Sequence, residues 1–394
     1  MNTVVDLVWF NAGGGHKAAA AALSQGIDAA GLPWRVRSID LVQVLDPTAL
    51  FRRSTGMAPE DLYNKRLASG FTLGLRQELK LLQGGIRLAH PRLVQRLAAH
   101  WARTRPDLVV SLIPNFNRAL HDALALARPG APFVTVMTDL ADLPPHFWAE
   151  PGTAQHLVCG TAHAAAQALA AGMAPSQVHR VHGMLLRPGF HATPPSSAER
   201  RAARVAAGLP ADGAVGLVLF GGTGSRAMLA IARALPETPL VLLCGRNAAL
   251  VQALQREPAA APRVVLGTTS DVAHWMHLAD FFVGKPGPGS LSEAVQCGLP
   301  VITTCNTWTL PQERWNADWV RDEGLGLVLR RFADIDVAVP ALLSRLGEFK
   351  ANAARVRHDA LQAVPALLQQ LVAPAARPST ARAADAPPLA AAVA

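Results

Sequence analysis

The chain has one tyrosine and four cysteines, and only 16% of its 394 residues are charged. The low tyrosine count carries no function. Cys159, Cys244, Cys297 and Cys305 show no CxxC spacing and each falls in or beside an apolar strand or helix, so buried free thiols are expected rather than a zinc site or disulfides. Long hydrophobic runs are also lacking. The longest, 215–220 and 239–244, are far shorter than the roughly 20 apolar residues of a spanning helix. No basic region precedes the first apolar run and no small-residue cleavage pattern is present. Residues 4–10 therefore read as a first strand, not a signal peptide, and a cytoplasmic location is expected. What remains is α/β material, with half its residues hydrophobic, long enough for two domains.

Acid is scarce in one segment. Residues 52–105 hold eleven Lys/Arg against three Asp/Glu, which is +8 of the chain's net +9. Leu75, Leu79, Leu82 and Ile86 interleave at helical spacing with Arg76, Lys80 and Arg87, and Arg92 follows. That pattern fits a helix on an anionic membrane surface, and equally a solvated helix face. Little aromatic interleaving and no DNA- or RNA-binding motif argue against nucleic acid.

Strand-like runs (108–113, 133–137, 157–159, then 215–220, 240–244, 264–266, 281–283, 299–303) alternate with helix-like stretches, predicting parallel sheets with crossover helices. The pattern restarts once. The expected domains are 1–192 and 213–373, joined by a Pro-, Ser- and charge-rich linker at 193–212 and followed by a disordered Ala/Pro tail at 374–394.

Each half opens strand, glycine loop, helix. In "FNAGGGHKAAAAAL", Gly14 and Gly15 let a ligand approach the backbone, the helix amides attract negative charge, and His16 stands at the mouth. Gly13, Gly15 and Ala18 also satisfy a dinucleotide-binding pattern, with Asp40 placed as a ribose-binding acid, which by itself would suggest an NAD enzyme. The second half has "GGTGS" and, later, "GKPGPGSLSEAVQCGLPVI". There Ser290 and nearby free amides can bind phosphate oxygens, and Glu293 can accept hydrogen bonds from two ribose hydroxyls. The alternative is a capped helix with an incidental glutamate.

Together "NAGGGHKAAAAAL", "FVTVMTDLADLPPHFW", "RVHGMLLRPGF", "GKPGPGSLSEAVQCGLPVI" and "TLPQERWNADWV" resemble, in order and spacing over residues 4–345, the monogalactosyldiacylglycerol synthase family. That family shares its two-domain GT-B fold with MurG. The resemblance implies an inverting, metal-independent transfer of galactose or glucose from a UDP-sugar to a lipid hydroxyl, most directly diacylglycerol. By similarity His16 is the general base, a role that suits a neutral imidazole with a pKa near roughly 6.5. Asp139 orients His16 or touches the acceptor, and His146 and Trp148 are acceptor contacts. Gly222, Thr223, Gly224, Pro288, Gly289 and Ser290 hold the diphosphate, Glu293 the ribose, and Gln312, Glu313 and Asn316 the sugar. No cofactor is implied and no DxD metal motif stands at a strand end, since Asp139 and Asp142 in "TDLAD" are three apart. Family context favours the membrane reading of the basic segment, on the inner face of the cell membrane.

The pattern departs from the family in three places: Ser290 stands for a threonine, Asn115 and Asn117 stand in a loop where a histidine is expected, and Ala18 and Ala19 stand where a basic or hydroxyl residue is common. Other readings stay open on the sequence: transfer to another lipid or small hydrophobic acceptor, a UDP-sugar 2-epimerase, or a non-catalytic protein that binds UDP-sugar or lipid.

Overall fold

A computed structural model describes residues 3–10, 14–48, 53, 75–143 and 147–372. The expected tail at 374–394 lies outside them. The first sheet contains β1 (Val4–Trp9), β2 (Arg35–Asp40), β3 (Leu108–Ser111), β4 (Phe133–Val136), β5 (Gln155–Cys159) and β6 (Val178–Arg180), in the order β2-β1-β3-β4-β5-β6. The second contains β7 (Gly216–Leu219), β8 (Leu240–Leu243), β9 (Arg263–Leu266), β10 (Phe281–Val283), β11 (Val301–Thr304) and β12 (Gly326–Leu329), in the order β12-β11-β10-β7-β8-β9. Every pairing is parallel. Central strands such as β3, β4, β7 and β8 are buried along their whole length because helices cover both faces, which is why they read as unbroken apolar runs.

Strand order reverses between β1 and β3 in one sheet and between β7 and β10 in the other. Crevices open at such reversals, beyond the carboxyl ends of the strands. Both glycine loops leave from these points.

Three local results differ from the sequence expectation. The stretch expected as a linker holds a helix, Ser197–Ala206, started by a capping box between Ser196 and Glu199. Its Arg200 and Arg204 bind Asp280 at 2.8 and 2.6 Å and take the carbonyls of residues 277–279, so the helix belongs to the second domain. Strands β6 and β12 were not legible: β6 is three residues with one apolar side chain, and β12 starts on Gly326, two residues after Gly324. Finally, helix Ala360–Val372, expected in the second domain, returns to the first. Its Leu361, Val364 and Leu368 join the core under helix Gly15–Ala29. The two helices approach so closely at Gly26 that a Cβ there would lie 2.7 Å from the Leu361 carbonyl oxygen.

The chain thus crosses between domains twice, at 182–187 and 354–359, and the crossings are tied together. Asp359 accepts from the His182 backbone N–H (2.9 Å) and pairs with its ring Nδ1 (2.8 Å), while the Asp359 N–H donates to the His182 carbonyl (3.0 Å). All four cysteines are free, with Cys159 and Cys244 buried and Cys297 and Cys305 half-buried.

Candidate active site between the two sheets

Helix Gly15–Ala29 starts at Gly14, whose φ of +84° is left-handed and open to glycine without strain. No side chain caps the helix, and there is open space above Gly15. His16 in the first turn directs Nδ1 at the Leu112 carbonyl oxygen, 2.7 Å away, with Thr138 Oγ1 at 3.0 Å. A carbonyl can only accept, so Nδ1 carries the proton and Nε2 keeps a lone pair. Phe10 and Trp148 flank the ring, with centroids 4.9 and 6.4 Å away. Burial lowers the His16 pKa to about 4, against the opposing bond from Leu112, so the imidazole is neutral at pH 7 and a weaker base than the sequence suggests.

Asp139 follows β4 as expected but does not orient His16. Its Oδ2 accepts from the Trp148 indole N–H at 3.0 Å, leaving that task to Leu112 and Thr138. Burial pushes the Asp139 pKa up to about 7, the indole bond opposes this, and the charge of Glu313 in the other domain adds to it. Trp148 is fully buried and forms the wall behind His16 instead of an open acceptor surface. Asp142 Oδ1 accepts the backbone N–H groups of Phe147 and Trp148, which fixes that wall. His146, and Asn11 to Gly13 in the loop, lie outside the described residues.

Across from this, a cavity of about 220 Å³ opens at the carboxyl ends of β7, β10 and β11. Gly222, Thr223, Gly224 and Glu313 line it, as do Lys285, Arg246, Trp308 and Phe332. Lys285 Nζ donates to Glu313 Oε1 at 2.6 Å, with the glutamate buried and the lysine part-exposed. Sequence reasoning assigned no role to Lys285 although it begins the "KPGPGS" turn. A lone lysine carries no signal until a carboxylate 28 residues away is seen to hold it.

Pro288, Gly289 and Ser290 open helix Pro288–Gln296 beside the cavity, with space around Gly289 and no side-chain cap. A Cβ on Gly287 would sit 3.3 to 3.6 Å from Lys285, Ser290 and Glu313, so these three side chains converge on the turn. Gln312 belongs to the turn Pro311–Glu313. Asn316 is fully buried and donates through Nδ2 to the Pro286 carbonyl at 2.8 Å, bracing the turn from behind. Glu293 stands apart from the cavity. Burial raises its pKa to about 7, and the charge of Arg187 on the domain crossing opposes this.

The two halves meet here. Leu310, which lines the cavity, is buried among Met137, Phe147 and Trp148 of the first domain, and Trp315 stacks on His163 at 4.6 Å. Among the described residues no group of three or more His, Cys, Asp or Glu is placed to hold a metal ion.

The basic segment forms helix Leu75–Thr104 from residue 75 onward. Lys80, Arg87 and Arg92 are exposed on the same side as Leu81 and Leu88, which are 75% and 87% exposed. The Arg76 side chain lies outside the described residues.

No protein-family model matches the chain. It is 33% identical over 242 residues to a probable monogalactosyldiacylglycerol synthase 2, chloroplastic, of Oryza sativa subsp. japonica, covering 57% of this chain and 49% of that one. It is 30% identical over 270 residues to monogalactosyldiacylglycerol synthase 3, chloroplastic, of Arabidopsis thaliana, covering 61% and 55%. The chain therefore spans about half the length of the curated relatives it matches. Among solved structures, Acinetobacter baumannii MurG superposes with a TM-score of 0.57 at 13% identity over 94% of this chain and all of that one. A UDP-GlcNAc 2-epimerase from Neisseria meningitidis gives 0.58 at 13% over 93% and 100%. At such identities these two speak for the fold alone.

The relatives' chloroplastic names overturn the expectation of a cytoplasmic protein on the inner face of the cell membrane. Among the described residues no helix is long and apolar enough to cross a membrane. The chain has the GT-B fold, and the relatives its sequence resembles are monogalactosyldiacylglycerol synthases.

Proposed function

We propose that this chain is an inverting glycosyltransferase that moves a hexose, galactose or glucose, from a UDP-sugar to a lipid hydroxyl, diacylglycerol first among them. The observation that carries this reading is one neutral histidine with a free Nε2 at the switch point of one sheet, set against a glycine-walled, lysine-bearing cavity at the switch point of the other. Similarity to monogalactosyldiacylglycerol synthases supplies the acceptor class.

In this mechanism His16 Nε2 takes the proton of the acceptor hydroxyl while its oxygen attacks the anomeric carbon, and the bond to the diphosphate breaks on the opposite face. Negative charge then grows on the departing UDP. Lys285, the Ser290 hydroxyl and the amides of the glycine loop and of the helix beginning at Pro288 stabilise it. Glu313 holds Lys285 before the donor arrives and, with Gln312, takes the sugar hydroxyls. Because these groups carry the leaving-group charge, transfer is expected to continue in EDTA. The side of helix Leu75–Thr104 that bears Leu81, Leu88, Lys80, Arg87 and Arg92 rests on an anionic lipid surface, with leucines in the apolar layer and cations at the headgroups.

The test is UDP release and glycolipid formation with UDP-galactose, UDP-glucose and UDP-N-acetylglucosamine in turn, with and without diacylglycerol in anionic vesicles. Lipid-dependent release with one hexose is expected. In the same assay Lys80→Glu/Arg87→Glu/Arg92→Glu loses vesicle binding and lipid-dependent turnover. Release that ignores lipid would replace this reading with an epimerase or a soluble acceptor.

Glu293 gives a pH dependence. As a carboxylate it accepts from both ribose hydroxyls, and protonation removes that capacity. With its pKa raised to about 7, UDP affinity is expected to fall as the pH drops through 7, whereas Glu293→Gln binds UDP weakly with no such slope. Calorimetric titration between pH 5.5 and 8.5 measures this. An equal slope in the variant would move the ribose contact elsewhere.

A further inference from the structure

Helix Leu75–Thr104 reaches the His16 site through Leu79, buried in the cluster that holds Phe147 and Trp148, and through Gln83. Gln83 Nε2 donates to Asn115 Oδ1 at 3.0 Å. Asn115 has a φ of +67°, in the left-handed region that asparagine adopts more readily than other non-glycine residues. Its own N–H donates to the Phe147 carbonyl at 2.8 Å. The same loop holds the base: Leu112, three residues before Asn115, supplies the carbonyl on His16 Nδ1, and Phe116, the residue after it, packs edge-on against Phe10 beside the imidazole. Asn117 ties the loop's far end to the Trp148 carbonyl, the Ser111 hydroxyl and Thr135. On a helix turning about 100° per residue, Gln83 lies roughly opposite Leu81 and Leu88. It is also three residues after Lys80 and four before Arg87, so the loop that sets the tautomer of His16 is gripped beside those two cations.

We infer that Gln83 and Asn115 are positioning residues for His16, forming a joint that passes the seating of the basic helix on to the carbonyl that orients the base. This rests on the proposed role of His16. The joint acts through geometry: a loop relaxed by a fraction of an ångström weakens the bond to Nδ1, lets the imidazole change tautomer, and puts a proton on the nitrogen that must receive one.

The experiment uses the full chain as Gln83→Ala, Asn115→Gly, the double variant and Gln83→Glu. Asn115→Gly keeps the left-handed backbone available while removing the side chain. Gln83→Glu can still link to Asn115 through a flipped amide. Two readouts are taken: transfer kinetics on diacylglycerol in anionic vesicles, and the ¹⁵N spectrum of the His16 imidazole, assigned by its loss in His16→Gln. Each single variant is expected to lower kcat by about tenfold to hundredfold. The double variant should lose less than the sum of the two single losses, as befits a shared contact. KM for the sugar nucleotide, vesicle affinity and Tm stay at wild-type values, Gln83→Glu recovers, and the ¹⁵N signals pass from the Nδ1–H form to a mixture. An unchanged tautomer and kcat in Gln83→Ala, additive losses, or a loss that follows Tm would overturn the inference. If the wild-type chain transfers no sugar, the proposed function fails, and the ¹⁵N spectra alone still decide whether the joint orients His16.

Discussion

His16→Ala is expected to lower kcat by about 10²–10⁴ while leaving the Kd for UDP unchanged. The reason is the division of labour in the proposed mechanism, where His16 would serve the acceptor from the first sheet and groups of the second would hold the donor. The pH profile sharpens the test. A base must be unprotonated, and His16 becomes protonated only below its lowered pKa of about 4. The acid limb of kcat/KM attributable to this residue therefore lies near 4, well below the 6.5 of an open imidazole. Asp139 is the rival, because burial raises it to about 7 in the same crevice. A profile that collapses as the pH falls through 7, and that Asp139→Asn abolishes, would transfer the base role to the carboxylate.

The largest loss of stability is expected from Asp280→Ala. Arg204 is 2% exposed, and its guanidinium bonds the Asp280 carboxylate at 2.6 Å, with Arg200 and the Val215 N–H on the same carboxylate. Removing one partner leaves a charge buried without compensation, which costs about 3–5 kcal/mol. For a domain of this size that lowers Tm by about 10 °C, measurable by calorimetry. Breaking the exposed Arg345–Glu348 pair should leave Tm where it was, since solvent already screens it. Burial by itself would raise the Asp280 pKa, but bonds from Arg200, Val215 and Arg204 hold it below the usual carboxylate range. Its contribution is accordingly present above the unfolded carboxyl pKa and lost as the pH falls through the lowered folded value. An Asp280→Ala protein as stable as wild type would mean that water reaches Arg204.

Why some of this was legible in the sequence and some was not follows from how far each feature reaches along the chain. Glycine loops after apolar runs are local, and the structure has Gly14 and Gly15 after β1 and Gly222 and Gly224 after β7. Parallel strands buried on two faces announce themselves as apolar runs, so most were placed to within two residues. What fixes His16 was not readable: Leu112 acts through a backbone carbonyl 96 residues away, and any residue type carries a carbonyl. Lys285 was visible, but its partner was not. Helix Ser197–Ala206 was taken for a linker because its residues are small and charged. Its capping box, Ser196 with Glu199, is a local signal that the sequence does carry, whereas the arginines' target, Asp280 just before β10, is seen only once the chain is folded. Helix Ala360–Val372 has an apolar side that any core would accept, and Gly26, which lets it settle on the first domain, lies more than 300 residues before it.

The tie between His182 and Asp359 has a mechanical consequence. Two strands of chain running side by side between two rigid bodies behave like the paired leaves of a door hinge: sliding and twisting are resisted, and rotation about the line through them remains. A swing about it is opposed by Leu310, buried with Met137, Phe147 and Trp148 of the first domain, and by the stack of Trp315 on His163. The first domain likewise cannot be cut away as a finished unit, because Leu361, Val364 and Leu368, on a helix that follows the second domain, complete its core.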